Sequence, residues 1–422
     1  MAVAEPFEPV PGPESSPEGP VPERPAPAAL APFPAPVGLA VTRLTVTRFR
    51  SYAQARVELD RRPVVLTGPN GAGKTNLLEA VSLLAPGRGL RRARLAEIER
   101  LQAPGTAWDA PSWAVAATVE TPRGTVEIGT GRDPSAEGAS ERRLVRIDGL
   151  PAKGQIALAE HVAVVWLTPQ MDRLFLEGAS GRRRFLDRLV FGFDPAHAGR
   201  LGVYEKALRE RARLLRDGTG DRHWLAALED QMATSGVAVA AARCELVARL
   251  GEACRRGVGP FPAPGIAVTG AVEGWLADRP ALEAEEAFRR ALADGRRQDA
   301  DSGGALTGPH RSDLAVTYLA KDMPAELGST GEQKALLIAI VLANARLMRA
   351  ETGTAPLLLL DEVAAHLDRG RRAALFEEIL AVGAQAWMTG TDASMFAELG
   401  GRAQAFRVEG GAVSAEPLEA PS

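Results

Sequence analysis

The chain has few thiols, few lysines and no long apolar run. Its two cysteines, Cys244 and Cys254, lie in a helix-patterned stretch without the spacing of a zinc site. They read as reduced core thiols of a cytoplasmic protein rather than as a disulfide framework. No apolar stretch is long enough to span a bilayer, so no membrane partner is expected. The first segment lacks the basic start and apolar h-region of a secretory signal. Net charge is also low, −3 from 50 basic and 53 acidic residues, which by itself does not point to nucleic acid. Residues 1–37 hold five Glu and one Arg, and the remainder carries +1, so basic character has to be sought locally. Only five of the 50 basic residues are lysines, and one of them falls in the stretch around which the chain is organised.

That stretch is Gly68-Pro69-Asn70-Gly71-Ala72-Gly73-Lys74-Thr75, which fits G-x-x-x-x-G-K-[ST] at every fixed position. A β-branched run, Pro63–Thr67, reads as a buried strand before it, and Asn76–Leu84 has helical periodicity after it. Strand, glycine loop and helix make a backbone nest for phosphate oxygens at a helix N-terminus. Lys74 is placed to reach β- and γ-phosphates, and the Thr75 hydroxyl to ligate Mg²⁺. The cofactors expected are therefore ATP and Mg²⁺.

Residues 1–37 are rich in Pro, Ala and Glu and read as a disordered tail, or as upstream residues included by a misassigned start codon. Strands are expected at Val41–Val46, Arg56–Leu59, 113–119, 125–129, Arg143–Ile147 and within His161–Thr168, which ends in Thr168-Pro169-Gln170. Helical patterning runs from about 194 to 258, followed by a short strand at 266–269, a helix at 281–293 and a polar loop at Arg297–Gly304. These helices carry no catalytic constellation and read as a structural subdomain. Three arginine clusters, at 88–94, 142–146 and 182–184, contain Arg91, Arg92, Arg94, Arg143, Arg146, Arg182, Arg183 and Arg184. They are read either as solvated faces or as contacts to DNA phosphates, which arginine makes without reading base order.

The last third returns to site chemistry. Thr307–Asp313 is a turn before the strand Leu314–Leu319, and Gly328-Ser329-Thr330-Gly331-Glu332-Gln333 opens a long apolar helix. Ser329 reads as an N-cap or as part of a second anion-binding helix N-terminus. Leu357–Leu360 is a buried strand ending in Asp361 and Glu362, a Walker B arrangement. Asp361 is expected to hold Mg²⁺ and Glu362 to orient and deprotonate the attacking water. Further on, Gln385–Thr389 reads as a strand, and 404–408 as the last one.

Together these words resemble the ABC-type ATPase heads of the structural-maintenance-of-chromosomes class and, within that class, the RecF family. The matching words are Thr42-Arg43-Leu44, Phe49-Arg50-Ser51-Tyr52, the loop Gly68–Asn76 with Leu77-Leu78-Glu79-Ala80, Arg183–Asp187, Gly308–Asp313 and Ser329–Gln333. The resemblance covers about 39–410. It implies an α/β fold: an ABC/SMC-type P-loop ATPase head at 38–193 and 301–422, with an inserted mostly helical subdomain at 194–300. It also implies nucleotide sandwiched between two heads, with Ser329 and Gly331 of one touching the γ-phosphate held by the other, and Gln170 among the nucleotide-binding residues. A recombination mediator is implied: a weak DNA-stimulated ATPase that dimerises with ATP on double-stranded and gapped DNA. RecA loading, gap repair, replication restart and the SOS response follow from the same resemblance, as do RecR-like and RecO-like partners. Gly328 and Thr330 stand where the usual signature has Leu and Gly, and Thr391 lies near the position of the switch histidine of transporter heads, which suits a slow, timed switch.

Other ABC-type readings fit less well. A transporter subunit is compact, whereas loop and signature here lie about 260 residues apart. A long-coil chromosome protein needs extended heptads, and an overcoming-lysogenisation-type nuclease needs an acidic metal domain after the head.

Overall fold

The computed structural model describes residues 38–100, 113–133, 143–218 and 221–418; the expected tail at 1–37 lies outside the described residues. The elements in order are β1 (Ala40–Phe49), β2 (Tyr52–Glu58), β3 (Val64–Thr67), α1 (Lys74–Ser82), α2 (Leu95–Ile98), β4 (Ala114–Thr121), β5 (Gly124–Arg132), β6 (Arg143–Ile147), β7 (Leu150–Pro151) and β8 (Val164–Leu167). Helices α3 (Ala179–Phe191), α4 (His197–Asp217) and α5 (Arg222–Arg255) precede β9 (Pro264–Thr269), α6 (Ala271–Asp278), α7 (Ala281–Asp294) and α8 (Arg296–Ser302). The chain continues through β10 (Asp313–Tyr318), β11 (Met323–Pro324), α9 (Thr330–Thr352), β12 (Leu357–Leu360), α10 (Arg369–Val382), β13 (Ala386–Thr389), β14 (Gln404–Glu409) and β15 (Ala412–Glu416).

One six-stranded sheet runs β15-β14-β3-β13-β12-β8, with β14, β3, β13, β12 and β8 parallel. Its strands are apolar at successive positions because helices and a second sheet cover both faces. Leu357 and Leu359 face one cluster with Val64, Leu66 and Leu77, while Leu358 and Leu360 face another with Val65 and Leu336. Helix α9 is buried nearly all round from Ala335 to Ala345, as expected for a helix that is apolar on every side. The second six-stranded sheet, β2-β1-β4-β5-β6-β7, is antiparallel and joins the cluster around α1. Among the described residues no helix is long and apolar enough to cross a membrane.

Helices α4 to α7 share a third cluster, built on Tyr204, Met232, Val237 and Phe288. Here the expected polar loop at Arg297–Gly304 is overturned, since α8 spans Arg296–Ser302. Its polarity belongs to a buried ion cluster. Arg211 donates to Glu229 at 3.0 Å and to Asp299 of α8 at 2.7 Å, with Arg296 also on Glu229 at 2.6 Å. Strand β9 hydrogen-bonds along its length to β10, so a division at 300/301 runs between elements of one sheet. The last strand expected, 404–408, is also followed by an antiparallel partner, β15.

Arg211 is 1 % exposed, and its removal leaves buried Asp299 without its counter-ion and Glu229 with Arg296 alone. Arg211→Ala is therefore expected to destabilise the chain by about 3–5 kcal/mol. The check is the denaturant midpoint of the variant against the parent. An unchanged midpoint contradicts the tertiary role given to this cluster.

Candidate nucleotide site

All parallel strands of the first sheet point their carboxyl ends the same way, and in such sheets ligands bind outside those ends. β3 delivers Gly68, β12 delivers Asp361 and Glu362, β13 delivers Thr389, and β8 delivers Thr168-Pro169-Gln170. Asp361 N–H bonds the Leu167 carbonyl at 2.9 Å, which aligns the ends of β12 and β8.

The loop from Gly68 to Gly73 has a shape few other residues tolerate. Gly73 has φ +113°, and a Cβ there meets Ser51 Oγ at 2.6 Å. Gly68 has φ +134°, and a Cβ there lies 2.2 Å from the Val408 carbonyl oxygen. Tyr52 Oη donates to the Gly73 carbonyl at 3.0 Å, and Asn76 Nδ2 donates to Ser51 Oγ at 2.9 Å. Arg50 grips Glu79 of α1 with two bonds, at 2.9 and 2.7 Å. The words Phe49–Tyr52 and Leu77–Ala80, far apart as motifs, therefore form one brace behind the phosphate loop.

Lys74 is 5 % exposed, and its Nζ donates to the carbonyls of Gly68 and Pro69 at 2.7 and 2.9 Å. Burial lowers its pKa, while Glu362 and Asp361 oppose that shift. Thr75 Oγ1 donates to Asp361 Oδ1 at 2.9 Å. Two hard oxygen donors thus meet at one point, which is the chemistry Mg²⁺ selects. Thr389 was not foreseen. Its hydroxyl donates to Asp361 Oδ1 at 2.8 Å and accepts from Glu362 N–H at 2.8 Å. Glu362 itself has φ +51°, a left-handed conformation rare outside glycine and concentrated at functional sites. Only the position of Thr389 at the end of a parallel strand hinted at this role.

Gln170 lies on the exposed turn Pro169–Arg173 at the same sheet end, three residues past Leu167. Ser329 caps α9, with Ser329 N–H bonded to Glu332 Oε2 at 2.8 Å, and it is exposed with Gly331. Among the described residues no hydrogen bond joins Ser329 or Gly331 to the phosphate loop.

The arginine clusters separate. Arg143 is turned inward: Nη1 donates to Gly87 O at 2.8 Å, Nη2 to Leu83 O and Nε to Thr130 Oγ1 at 2.8 Å, and burial pushes its pKa down to about 10. Arg182 is spent on Asp313, at 2.7 Å through both Nε and Nη2, and on the carbonyl of Glu177. The expectation that these two contact DNA is corrected, because their donors already close loops within the chain. Arg91 donates to Asn76 Oδ1 at 2.8 Å. Arg92, Arg94, Arg146 and Arg184 are exposed, and Arg183 is half-buried. Arg92, Arg183 and Arg184 line a single cleft with Arg188 and Arg243, neither of which was singled out in the sequence. Arg188 was findable: it lies four residues past Arg184 on α3, on the same helical face.

The fold and this constellation define a P-loop ATPase head of the SMC class. The family model described as RecF/RecN/SMC N terminal domain matches residues 40–413. The chain belongs to the RecF family. It is 52 % identical over 376 residues to the DNA replication and repair protein RecF of Rhizobium rhizogenes, covering 89 % of this chain and 98 % of that one. The protein of the same name from Mesorhizobium japonicum is 52 % identical over 375 residues, with 88 % and 97 % covered. Among solved structures, the recombination mediator protein RecF-ATPrS in the RecFOR pathway superposes with a TM-score of 0.77 at 21 % identity, covering 90 % and 98 % of the two chains. The Smc head domain of Pyrococcus furiosus superposes with a TM-score of 0.50 at 16 % identity, covering 90 % and 96 %. These relatives do not favour a transporter subunit.

Lys74→Ala is expected to leave the fold intact and to abolish ATP binding, because it removes the mobile cation of the cradle. Equilibrium titration with ATP, alongside a thermal unfolding curve, checks it. Unchanged affinity in a folded variant contradicts the assignment.

Proposed function

We infer that the chain is an ATP-switched recombination mediator that closes as a homodimer on DNA at gaps or junctions. The observation that carries this reading is the meeting of Lys74, Thr75, Asp361 and Glu362 at one sheet end. Support also comes from relatives named as DNA replication and repair proteins and from a similar fold described as a recombination mediator with ATPrS.

In this reading Gly68–Lys74 wrap the phosphates of ATP, with Gln170 at the rim. Thr75 and Asp361 hold Mg²⁺, which when bound neutralises charge on the phosphate oxygens. Glu362, held by Thr389, orients water and accepts its proton. Ser329 and Gly331 of a second copy complete the site from outside, which suits their exposure. Leu327, two residues before Ser329, is 69 % exposed and offers apolar area to the same contact. Hydrolysis is weak, DNA-stimulated and serves as a timer. Arg94 and Arg146 contact DNA phosphates without reading sequence. The protein works in the cytoplasm with RecR-like and RecO-like partners, supporting RecA loading, gap repair, replication restart and the SOS response.

Glu362→Gln is expected to bind ATP normally and to accumulate as a dimer in ATP and Mg²⁺, seen by sedimentation. Hydrolysis at the parental rate removes Glu362 from the role of base.

Ser329→Arg sets a bulky cation into the proposed interface. The variant is expected to bind ATP as a monomer and to lose dimerisation. Dimerisation brings two sets of phosphate contacts together, so log affinity for DNA should fall more steeply with log salt in the parent with ATP than in this variant. Equal slopes, or a variant that still dimerises, overturn the sandwich.

A further inference from the structure

The words Arg183–Asp187, with Arg182 just before them, and Gly308–Asp313 have no place in the nucleotide site, yet the structure brings them together. Arg182 pairs with Asp313, and Arg183 Nη1 donates to the Ser312 carbonyl at 2.7 Å. Arg243 of α5 bridges both words, binding Asp187 at 2.8 and 2.9 Å and the Pro309 carbonyl at 2.6 Å. Beside this seam lies a cleft of about 420 Å³, lined also by the loop Pro86–Gly89, whose Gly87 carbonyl accepts from Arg143.

The cleft is lined by Arg88, Arg92, Arg183, Arg184, Arg188 and Arg243. Of its two carboxylates, Asp187 is engaged by Arg243 and His197, while Glu205 lies 3.7 Å from Arg209 and also offsets part of the charge around Arg92. The remaining cations act on one another. Burial together with the positive charges of Arg92 and Arg184 pushes the Arg188 guanidinium down to about 9; burial, then Arg184 and Arg88, lower Arg92 against a smaller opposing effect of Glu205. Arg188 stacks over the Trp166 ring at 3.7 Å, and its Nη1 is cut off from water without a hydrogen-bond partner. A buried guanidinium donor without an acceptor is costly and calls for an anion.

We propose that this cleft is a second phosphate site, separate from the phosphate loop, which seats the terminal phosphomonoester of a nucleic-acid strand together with its nucleotide. Its volume suits a group of small-molecule size and excludes a duplex. A phosphomonoester carries about −1.5 to −2 charge near neutral pH, and arginines bind its oxygens in paired hydrogen bonds. The exposed guanidinium planes of Arg92 and Arg184 provide surfaces on which a base can stack, since Trp166 is buried and already covered by Arg188. The same phosphomonoester chemistry occurs on a free nucleotide. Assigning it to a strand end rests on the DNA-binding reading above.

The test compares short single-stranded oligonucleotides with a 5′-phosphate, a 3′-phosphate or none, by fluorescence anisotropy with the full chain and with the variant Arg92→Ala/Arg184→Ala. Both side chains are exposed, so folding is preserved, and ATP titration of the variant verifies it. Phosphorylated strands are expected to bind the parent at least about tenfold more tightly than unphosphorylated ones, with that ratio collapsing in the variant. Equal affinities in the parent, or a ratio that survives in the variant, overturn the site. If no oligonucleotide binds the parent at all, the DNA reading itself fails. A second arm then decides: deoxyadenosine 5′-monophosphate is titrated into Lys74→Ala, where the phosphate loop is silent. Binding that disappears when Arg92→Ala and Arg184→Ala are added supports a free-nucleotide site, and no binding overturns the proposal.

Discussion

The hydrogen bond from Thr75 to Asp361 joins residues 286 positions apart, and most of the fold serves to make it. Thr75 opens a helix after β3, and Asp361 ends β12. The two strands are not neighbours, because β13 lies between them. Their ends can meet only if β3, β13 and β12 keep register. Burial on both faces enforces it, since a slip of one residue would exchange the cluster beneath the sheet for the one above. Thr389, from the intervening strand, then completes the link by bonding both Asp361 and the backbone of Glu362. The strained Glu362 backbone is thus held by a neighbour whose own position depends on the same register.

The parts legible in the sequence were those whose chemistry is local. A phosphate nest needs glycines at fixed spacing, and a doubly covered parallel strand needs a continuous apolar run, so both leave marks in a short window. Thr389 left none, since a threonine ending a strand is ordinary until its partner strand is known. The stretch Arg297–Gly304 misled for a related reason. Its charges imitate a solvated loop, yet Asp299 is buried because Arg211 awaits it from another helix. Polarity indicates exposure only when no counter-ion is folded against it.

Arginine shows the same limit. In a chain with so few lysines, arginine does the work of both cations, and its count near a motif says little about purpose. Arg143 and Arg182 close loops with their planar, many-donor heads, a task for which lysine is poorly shaped. Arg92, Arg184 and Arg188 instead turn toward common space. What separates the two groups is whether carbonyls and carboxylates are within reach, which is a property of the fold.

The helical insertion is not an appendage between two halves of an ATPase, because it is tied to both. Arg243 of α5 holds Asp187 of the first half and Pro309 of the second, and Tyr204 of α4 shares a 2.6 Å hydrogen bond with His310. Strand β9, reached through the same helices, pairs with β10 immediately after that second motif. The segment before α9 is therefore anchored to the insertion, while α3 lines the arginine cleft along its length. Lys334 on α9 is in turn 3.4 Å from Asp172, in the turn that follows β8. Contacts of the seam thus reach the start of β10, whose partner β11 precedes α9, and α9 in turn touches the turn that follows β8. An anion that pulls Arg183 or Arg243 would act on the carbonyls of Ser312 and Pro309, just before β10. Coupling between the two sites then requires a difference in contact free energy between two arrangements of that seam, and no separate relay.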